Sequence, residues 1–301
     1  MLLADPHVPP PPYGQESPIS RQAKPRISDG PVPCVPTIPT VEGKLVVVTG
    51  AASGIGKATA RAFAAAGARV IGTDLTKPTD DGVCGYRMDV SDAEWVEWFA
   101  MEVLRDFGVP DVLVSNAGIG MSGPFLETTA DDWARIVGVN LFGVVHGAQS
   151  FAPAMAERGS GHIVNVASAA AFAPSRSLSA YAATKSAVVM FSECLRGEMA
   201  NHGVGVTVVC PGRIRTPITE TTRFVGRSPE EQALARARMT KQYLKALPPE
   251  TVAAAILRAV RKNPPLVSVG LDAKLAHALW RVTPGIMRRL ARNGPADKLG
   301  S

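Results

Sequence analysis

The sequence predicts an α/β fold: a doubly wound parallel sheet of about seven strands with helices on both faces. Three observations predict it. Short β-branched runs alternate with helix-forming segments from residue 42 onward. The strand runs are almost continuously apolar, as in strands covered on both faces, rather than alternating. A glycine-rich turn follows the first run, at the carboxyl edge where such sheets bind ligands.

KLVVVTG (44–50) is the first strand, and the Ala-rich IGKATARAFAAAG (55–67) is a helix stopped by Gly67. ARVIGTD (68–74) and YRMDV (86–90) are the second and third strands, and DAEWVEWFAMEVLRDFG (92–108) is an amphipathic helix. DVLVSNAG (111–118) is the fourth strand, residues 131–159 one long helix, and GHIVNVAS (161–168) the fifth strand. The helix that carries YAATK (181–185) precedes GVTVVCPG (205–212), the sixth strand. Helices over 229–247 and 249–263 and the strand PLVSVG (265–270) complete the pattern.

Residues 1–40 hold eleven prolines and one aromatic residue. Such a segment buries too little apolar surface to offset its ordering entropy, so a proline-rich disordered tail is expected there. Residues 41–271 are expected to form the catalytic domain, and 272–301 a basic amphipathic extension. Apolar residues at 46% against 19% charged fit a globular chain with a sizeable core.

Composition also excludes several classes. Cys34, Cys84, Cys194 and Cys210 form no metal-ligand spacing and are too sparse for a disulfide framework. No metal site is expected, and the default setting is reducing and cytoplasmic. No apolar run approaches a membrane span, and the N-terminus lacks a signal-peptide pattern. Residues 223–301 carry fifteen Lys and Arg against five acidic residues, yet these lie outside any nucleic-acid motif, and no nucleic acid is expected.

TGAASGIG (49–56) sits between a strand and a helix. Gly50, Gly54 and Gly56 let the backbone take positive φ and admit a ligand where a Cβ would stand. The helix start, around Ser53 and Ile55, offers unpaired N–H groups and a positive dipole end to a pyrophosphate. Asp74 ends the next strand, and its carboxylate can accept from a ribose hydroxyl and would repel a 2′-phosphate. Ser53 and Leu75 supply no cation, which favours NAD. Lys57 and Lys77, near in sequence, leave NADP open.

In YAATK, Tyr181 and Lys185 lie one helical turn apart and share a face. Tyrosine, with a pKa near 10, is a poor base at neutral pH, and a nearby ammonium favours its phenolate. Such a pair is a candidate acid–base device.

These motifs together resemble the short-chain dehydrogenase/reductase family, in its TGxxxGxG branch. The resemblance covers roughly residues 42–270 and includes DV (89–90), NAG (116–118), Asn140, Ser168, YAATK and PGRIRT (211–216). It implies a Rossmann-type domain and hydride transfer between a nicotinamide cofactor and a secondary alcohol or ketone. It places Asp89, with Val90, near the adenine, and Asn116, Ala117 and Gly118 beside the adenine ribose. It implies that Asn140 supports a water in a proton relay and that Ser168 orients the substrate oxygen. Tyr181 then exchanges the proton, while Lys185 tunes it and anchors the nicotinamide ribose. Pro211, Gly212 and Thr216 are implied at the nicotinamide, and a lid over the substrate at about 213–247. Ser115 and Ala167 depart from residues common in the family, and Arg213 and Arg215 are bulky for a nicotinamide loop.

Met121, Phe125, Phe172 and Phe224 predict an apolar substrate pocket. The Tyr181 helix is apolar or small nearly all round, which predicts a homodimer or homotetramer. Residues 272–294 are amphipathic and basic with a Pro284–Gly285 break; docking on the core or a partner is expected ahead of peripheral membrane contact. A non-catalytic dinucleotide-binding protein is the alternative, but it has no need of a proton-transfer set. A nucleotide-sugar epimerase or dehydratase is disfavoured by the close Gly54-x-Gly56 spacing.

Overall fold

Alternation along the first strand sets the layers. In the computed structural model, which describes residues 37–293, β1 (Leu45–Thr49) is buried throughout. Leu45 and Val47 face one core and Val46 and Val48 the other, as a period of two requires. The chain continues through α1 (Gly54–Ala65), β2 (Arg69–Asp74), β3 (Val83–Arg87), α2 (Ala93–Asp106) and β4 (Val112–Ser115). Next come β5 (Met121–Ser122), α3 (Ala130–Val137), α4 (Gly143–Arg158), β6 (Gly161–Val166), α5 (Ser179–Ala200) and β7 (Val204–Pro211). It ends with α6 (Ile218–Thr221), β8 (Arg223–Phe224), α7 (Pro229–Tyr243), α8 (Pro249–Lys262), β9 (Leu266–Val269), α9 (Leu271–Val282) and α10 (Pro284–Asn293).

Seven strands pair in parallel in the order β3-β2-β1-β4-β6-β7-β9. The chain winds outward from β1 to β3, then restarts at β4 and winds the other way. The loops after β1 and β4 therefore part and open a crevice at the carboxyl edge. α1 and α8 cover one face through Ala60, Phe63, Ile256 and Val260. α2 and α4 cover the other through Phe99, Val103, Phe151 and Met155, and Phe99 meets Phe151 edge to face at 6.3 Å.

Two expectations need revision. The third strand lies at Val83–Arg87, not 86–90, because β2 sets its register from Val70↔Val83 to Asp74↔Arg87. Gly85 reads as a breaker, yet the returning loop requires it: a Cβ there would lie 1.9 Å from the Pro78 carbonyl oxygen. The long helix is interrupted by a π-helical turn at Gly138–Phe142. A second, two-stranded parallel sheet pairs β5 with β8, Met121↔Arg223 and Ser122↔Phe224. Within one chain α5 buries the stripe Ala180, Thr184, Lys185, Val188, Ser192 and Met199, and leaves Met190 on its outer side 65% exposed.

The expected tail falls outside the described residues except for 37–40, where Ile38 packs on the core and its N–H reaches the Val260 carbonyl at 3.5 Å. Residues 294–301 of the extension are likewise outside. The inner face of α9 docks on the sheet: Ala276 and Trp280 pack near Phe172 and Val208, and His277 stacks on Phe172 at 4.5 Å. Among the described residues, no helix is long and apolar enough to cross a membrane.

Candidate active site

The crevice is a cavity of about 910 Å³, bordered by the strand ends and the segments that follow them. Its inner end is the glycine turn after β1. Gly50 (φ +68) and Gly54 (φ +52) occupy the left-handed region, and a Cβ on Gly56 would lie 2.0 Å from the Gly50 carbonyl oxygen. Ser53 caps α1 without a side-chain hydrogen bond. The first N–H groups of α1 have no partner within the helix, and Gly54 and Ile55 border the cavity. A bare helix start behind a turn that admits no side chain fits a pyrophosphate.

Around it, short bonds hold the strand ends in place. Asp74 at the end of β2 accepts the Ala52 N–H at 3.0 Å and the Leu75 N–H at 2.7 Å, which ties the glycine turn to the ribose end. Asp89 accepts the Ser91 N–H and hydroxyl at 2.9 and 2.7 Å and turns the chain so that Val90 borders the cavity. Asn116 donates to the Thr49 and Gly50 carbonyls at 2.9 and 3.3 Å, and Thr49 Oγ1 accepts the Asn116 and Ala117 N–H groups. Asn116 therefore shapes the glycine turn from beside it.

The proton-transfer candidates meet at the next stretch of the cavity. Ser168 follows β6, and its Oγ accepts the Ala170 N–H at 3.1 Å. Ser168 and Tyr181 border the same cavity, and Ser168 stands near enough to lower the Tyr181 phenol. Lys185 is 4% exposed; its Nζ donates to the Val166 carbonyl at 3.1 Å and stands 5.9 Å from the centre of the Tyr181 ring. Burial pulls Lys185 down to about 8. Burial also pushes Tyr181 above its ordinary value, against the lowering effect of Ser168. Lys185 is not among the groups that shift Tyr181 in the free protein, and burial sets the direction instead.

Asn140 sits in the π turn and is fully buried. Its Oδ1 accepts the Ile119 N–H at 2.8 Å, and its Nδ2 donates to the Ile119 carbonyl at 3.0 Å and to Thr184 Oγ1 at 3.3 Å. Thr184 in turn donates to the Tyr181 carbonyl at 2.8 Å. Asn140 thereby couples the segment leaving β4 to the tyrosine helix. Gly118 permits the approach, since a Cβ there would lie 3.3 Å from Asn140 Oδ1 and 3.4 Å from Lys185 Nζ.

Pro211, Gly212 and Thr216 border the far side of the cavity. Thr216 closes on the glycine turn, its Cβ 3.1 Å from where a Gly54 Cβ would stand. Of the predicted catalytic and coenzyme residues, all but Gly56 and Asn140 border the cavity, and those two support it from behind; of the predicted substrate residues Met121 and Phe224 border it, whereas Phe125 is exposed and Phe172 packs against His277. Sequence reasoning missed Asp272 and Tyr243. Asp272, in the first turn of α9, accepts the Arg213 N–H at 2.8 Å, pairs with its guanidinium at 3.6 Å, and presses so close that Gly212 tolerates no Cβ. Its one signal was a lone carboxylate in the basic stretch 251–296. Tyr243 ends α7 and borders the cavity, and burial pushes its phenol above the ordinary value.

Known proteins share this arrangement. Residues 44–224 match the short chain dehydrogenase family. The Mycobacterium tuberculosis protein named "Probable oxidoreductase EphD" is 44% identical over 263 residues, covering 82% of this chain and 44% of that one. The chain thus spans less than half the length of that relative. The 3-oxoacyl acyl-carrier-protein reductase FabG of Thermotoga maritima is 37% identical over 191 residues, 60% of this chain and 78% of that one. A short chain dehydrogenase/reductase from Burkholderia phymatum, solved in complex with NAD, has a TM-score of 0.72 at 30% identity and covers 85% of this chain and 98% of its own. Cradle, tyrosine, lysine and relatives agree: the chain belongs to the short-chain dehydrogenase family, the nicotinamide-dependent oxidoreductases built on a Rossmann-type sheet.

Proposed function

We propose that this chain transfers hydride between NAD and an apolar secondary alcohol or its ketone. The observation that carries the proposal is the convergence of Ser168 and Tyr181 on the cavity wall, with the buried Lys185 behind the tyrosine. The nicotinamide, when bound, supplies the hydride acceptor or donor. Ser168 and Tyr181 hold the substrate oxygen, and Tyr181 takes its proton in oxidation or returns it in reduction. Lys185 has three N–H donors, of which Val166 takes one, so it can also hold the ribose hydroxyls. Asn140 fixes Ile119 and the Tyr181 helix and supports the route of the proton to solvent. Gly50, Ser53, Gly54 and Ile55 take the pyrophosphate, Asp74 the adenine ribose, Asp89 and Val90 the adenine, and Pro211, Gly212 and Thr216 the nicotinamide.

NAD is favoured over NADP by the charges around Asp74. Of the two lysines that left NADP open, Lys57 is drawn off by Asp80 at 3.3 Å, where Arg61 pairs with the same carboxylate. The Burkholderia phymatum relative is likewise a complex with NAD. The substrate end is walled by Met121, Leu178, Ile218, Phe224, Met239 and Tyr243, which suits an apolar body around one polar oxygen. The Thermotoga maritima relative carries a reductase name for a 3-oxo substrate, in keeping with a carbonyl–alcohol couple. Residues 41–271 act as the catalytic domain, with 213–247 covering the substrate. The exposed outer face of α5 around Met190 is the seam for a second copy, read out as molar mass in light scattering.

A panel of secondary alcohols and ketones followed by NADH absorbance, with NAD and NADP in parallel, tests the reading. On a good substrate, Tyr181→Phe lowers kcat by about 10²–10⁴-fold while NADH still binds. Undiminished turnover by Tyr181→Phe would overturn the mechanism.

A further inference from the structure

The outward face of α9 is apolar, and no other described element covers it. Leu271, Leu275, Leu279 and Val282 are 73%, 53%, 38% and 79% exposed, and at this spacing they form one stripe along the helix. The opposite face, Ala273, Ala276 and Trp280, is the one turned to the core. α10 adds Ile286, 50% exposed. Cations edge this stripe: Lys274 and Arg281 lie two turns apart along one side, and Arg288, Arg289 and Arg292 are exposed on α10. The single acidic residue of the two helices, Asp272, is engaged by Arg213.

The same character continues onto the neighbouring lid turn. Leu244 and Leu247 are 58% and 38% exposed, beside the exposed Lys241 and Lys245. Leu247 reaches the start of α9, 3.3 Å from where a Gly270 Cβ would stand. The cavity is bordered by Asp272 and by Ala276 on the inward side of α9, so the apolar and basic stripe lies on the side of the helix away from it. The exposed face of α5 around Met190 differs, with Glu193 and Glu198 exposed nearby and no excess of cations.

We infer that α9, α10 and the 244–247 turn form a docking surface for an anionic lipid bilayer. An amphipathic helix with cations at the edge of an apolar face lies in the headgroup region, where apolar area and charge act together. A second copy of the chain fits less well, because the same cluster of cations would face itself across a twofold interface. The inference stands on the surface alone and does not depend on the reaction.

Co-sedimentation of the 301-residue chain with vesicles tests it. Binding is expected to vesicles of mixed phosphatidylglycerol and phosphatidylcholine, to be released by salt, and to be absent with phosphatidylcholine alone. The Leu275→Glu, Val282→Glu double variant lowers binding more than about tenfold, and Arg288→Ala and Arg289→Ala each lower it about fivefold. NADH binding, followed by fluorescence, stays unchanged in all of them and shows that they are folded. Absence of binding to anionic vesicles at low salt overturns the inference, as does equal binding by the double variant. A halved molar mass for the double variant, without vesicle binding, would instead make this face an interface between copies.

Discussion

The two ends of the cleft are built differently. At the coenzyme end every functional group lies within a few residues of a strand terminus: Gly50 and Gly56 after β1, Asp74 at the end of β2, Asn116 after β4. Their mutual bonds, Ala52 to Asp74 and Asn116 to Thr49, run between adjacent strands and are fixed by sheet register. At the substrate end, the wall joins Met121, Leu178, Phe224, Tyr243 and Asp272, drawn from five separate segments. Its contacts link positions about a hundred residues apart, as in the β5–β8 pair. The first end inherits its precision from the sheet, whereas the second depends on how loops and the last helices dock.

The comparison breaks most readily at Gly56. Its missing Cβ leaves room for the Gly50 carbonyl, a rigid backbone group, so Gly56→Ala is expected to weaken NADH binding by about 100-fold or more, read by fluorescence titration with circular dichroism as the folding check. A change within twofold would mean that the coenzyme end is as adaptable as the substrate end. Asp272 spans the divide. Asp272→Ala removes two charged bonds to Arg213 and is expected to raise the coenzyme KM about tenfold with a smaller change in kcat. Asp272→Asn should fall between. An unchanged KM would separate α9 from the nicotinamide loop.

Ile218→Ala sharpens the comparison from the other side. Trimming one apolar wall residue is expected to shift the preference between bulky and small ketones about fivefold in kcat/KM, while NADH affinity stays within twofold. The smallest effect is one of pH. Burial holds Lys185 at about 8 against an ordinary 10.5, so between these values the unfolded chain binds more protons than the folded one. Folding stability from this group therefore rises as pH goes from about 8 to about 10.5. Lys185→Met should flatten that rise in thermal melts recorded across the window.

Much of the first end was legible in the sequence. KLVVVTG followed by glycines and a helix, with an acid closing the next strand, leaves few alternatives, because strand, turn and helix start are local. YAATK was legible because helical periodicity puts residues four apart on one face. The start of the third strand was misplaced because its register is set by β2, and Gly85 is required there by Pro78 crossing it rather than by its own neighbours. The π turn was missed because Asn140 takes its bonds from Ile119 and Thr184, and no spacing within the helix announces them. Asp272 and Tyr243 were missed because their partners lie on other segments.

By itself, then, the sequence determined the alternation of strands and helices, the glycine cradle and the tyrosine–lysine pair, all products of local conformation and burial period. Only the tertiary structure decided the direction of the Tyr181 shift, since desolvation is a property of the whole surrounding rather than of the nearest cation. It alone paired β5 with β8, seated Asp272 on the loop after β7, and turned one face of α9 inward while leaving the leucines of the other outside. Those are long-range contacts, and their selection depends on the packing of segments that carry no record of one another in their own spacing.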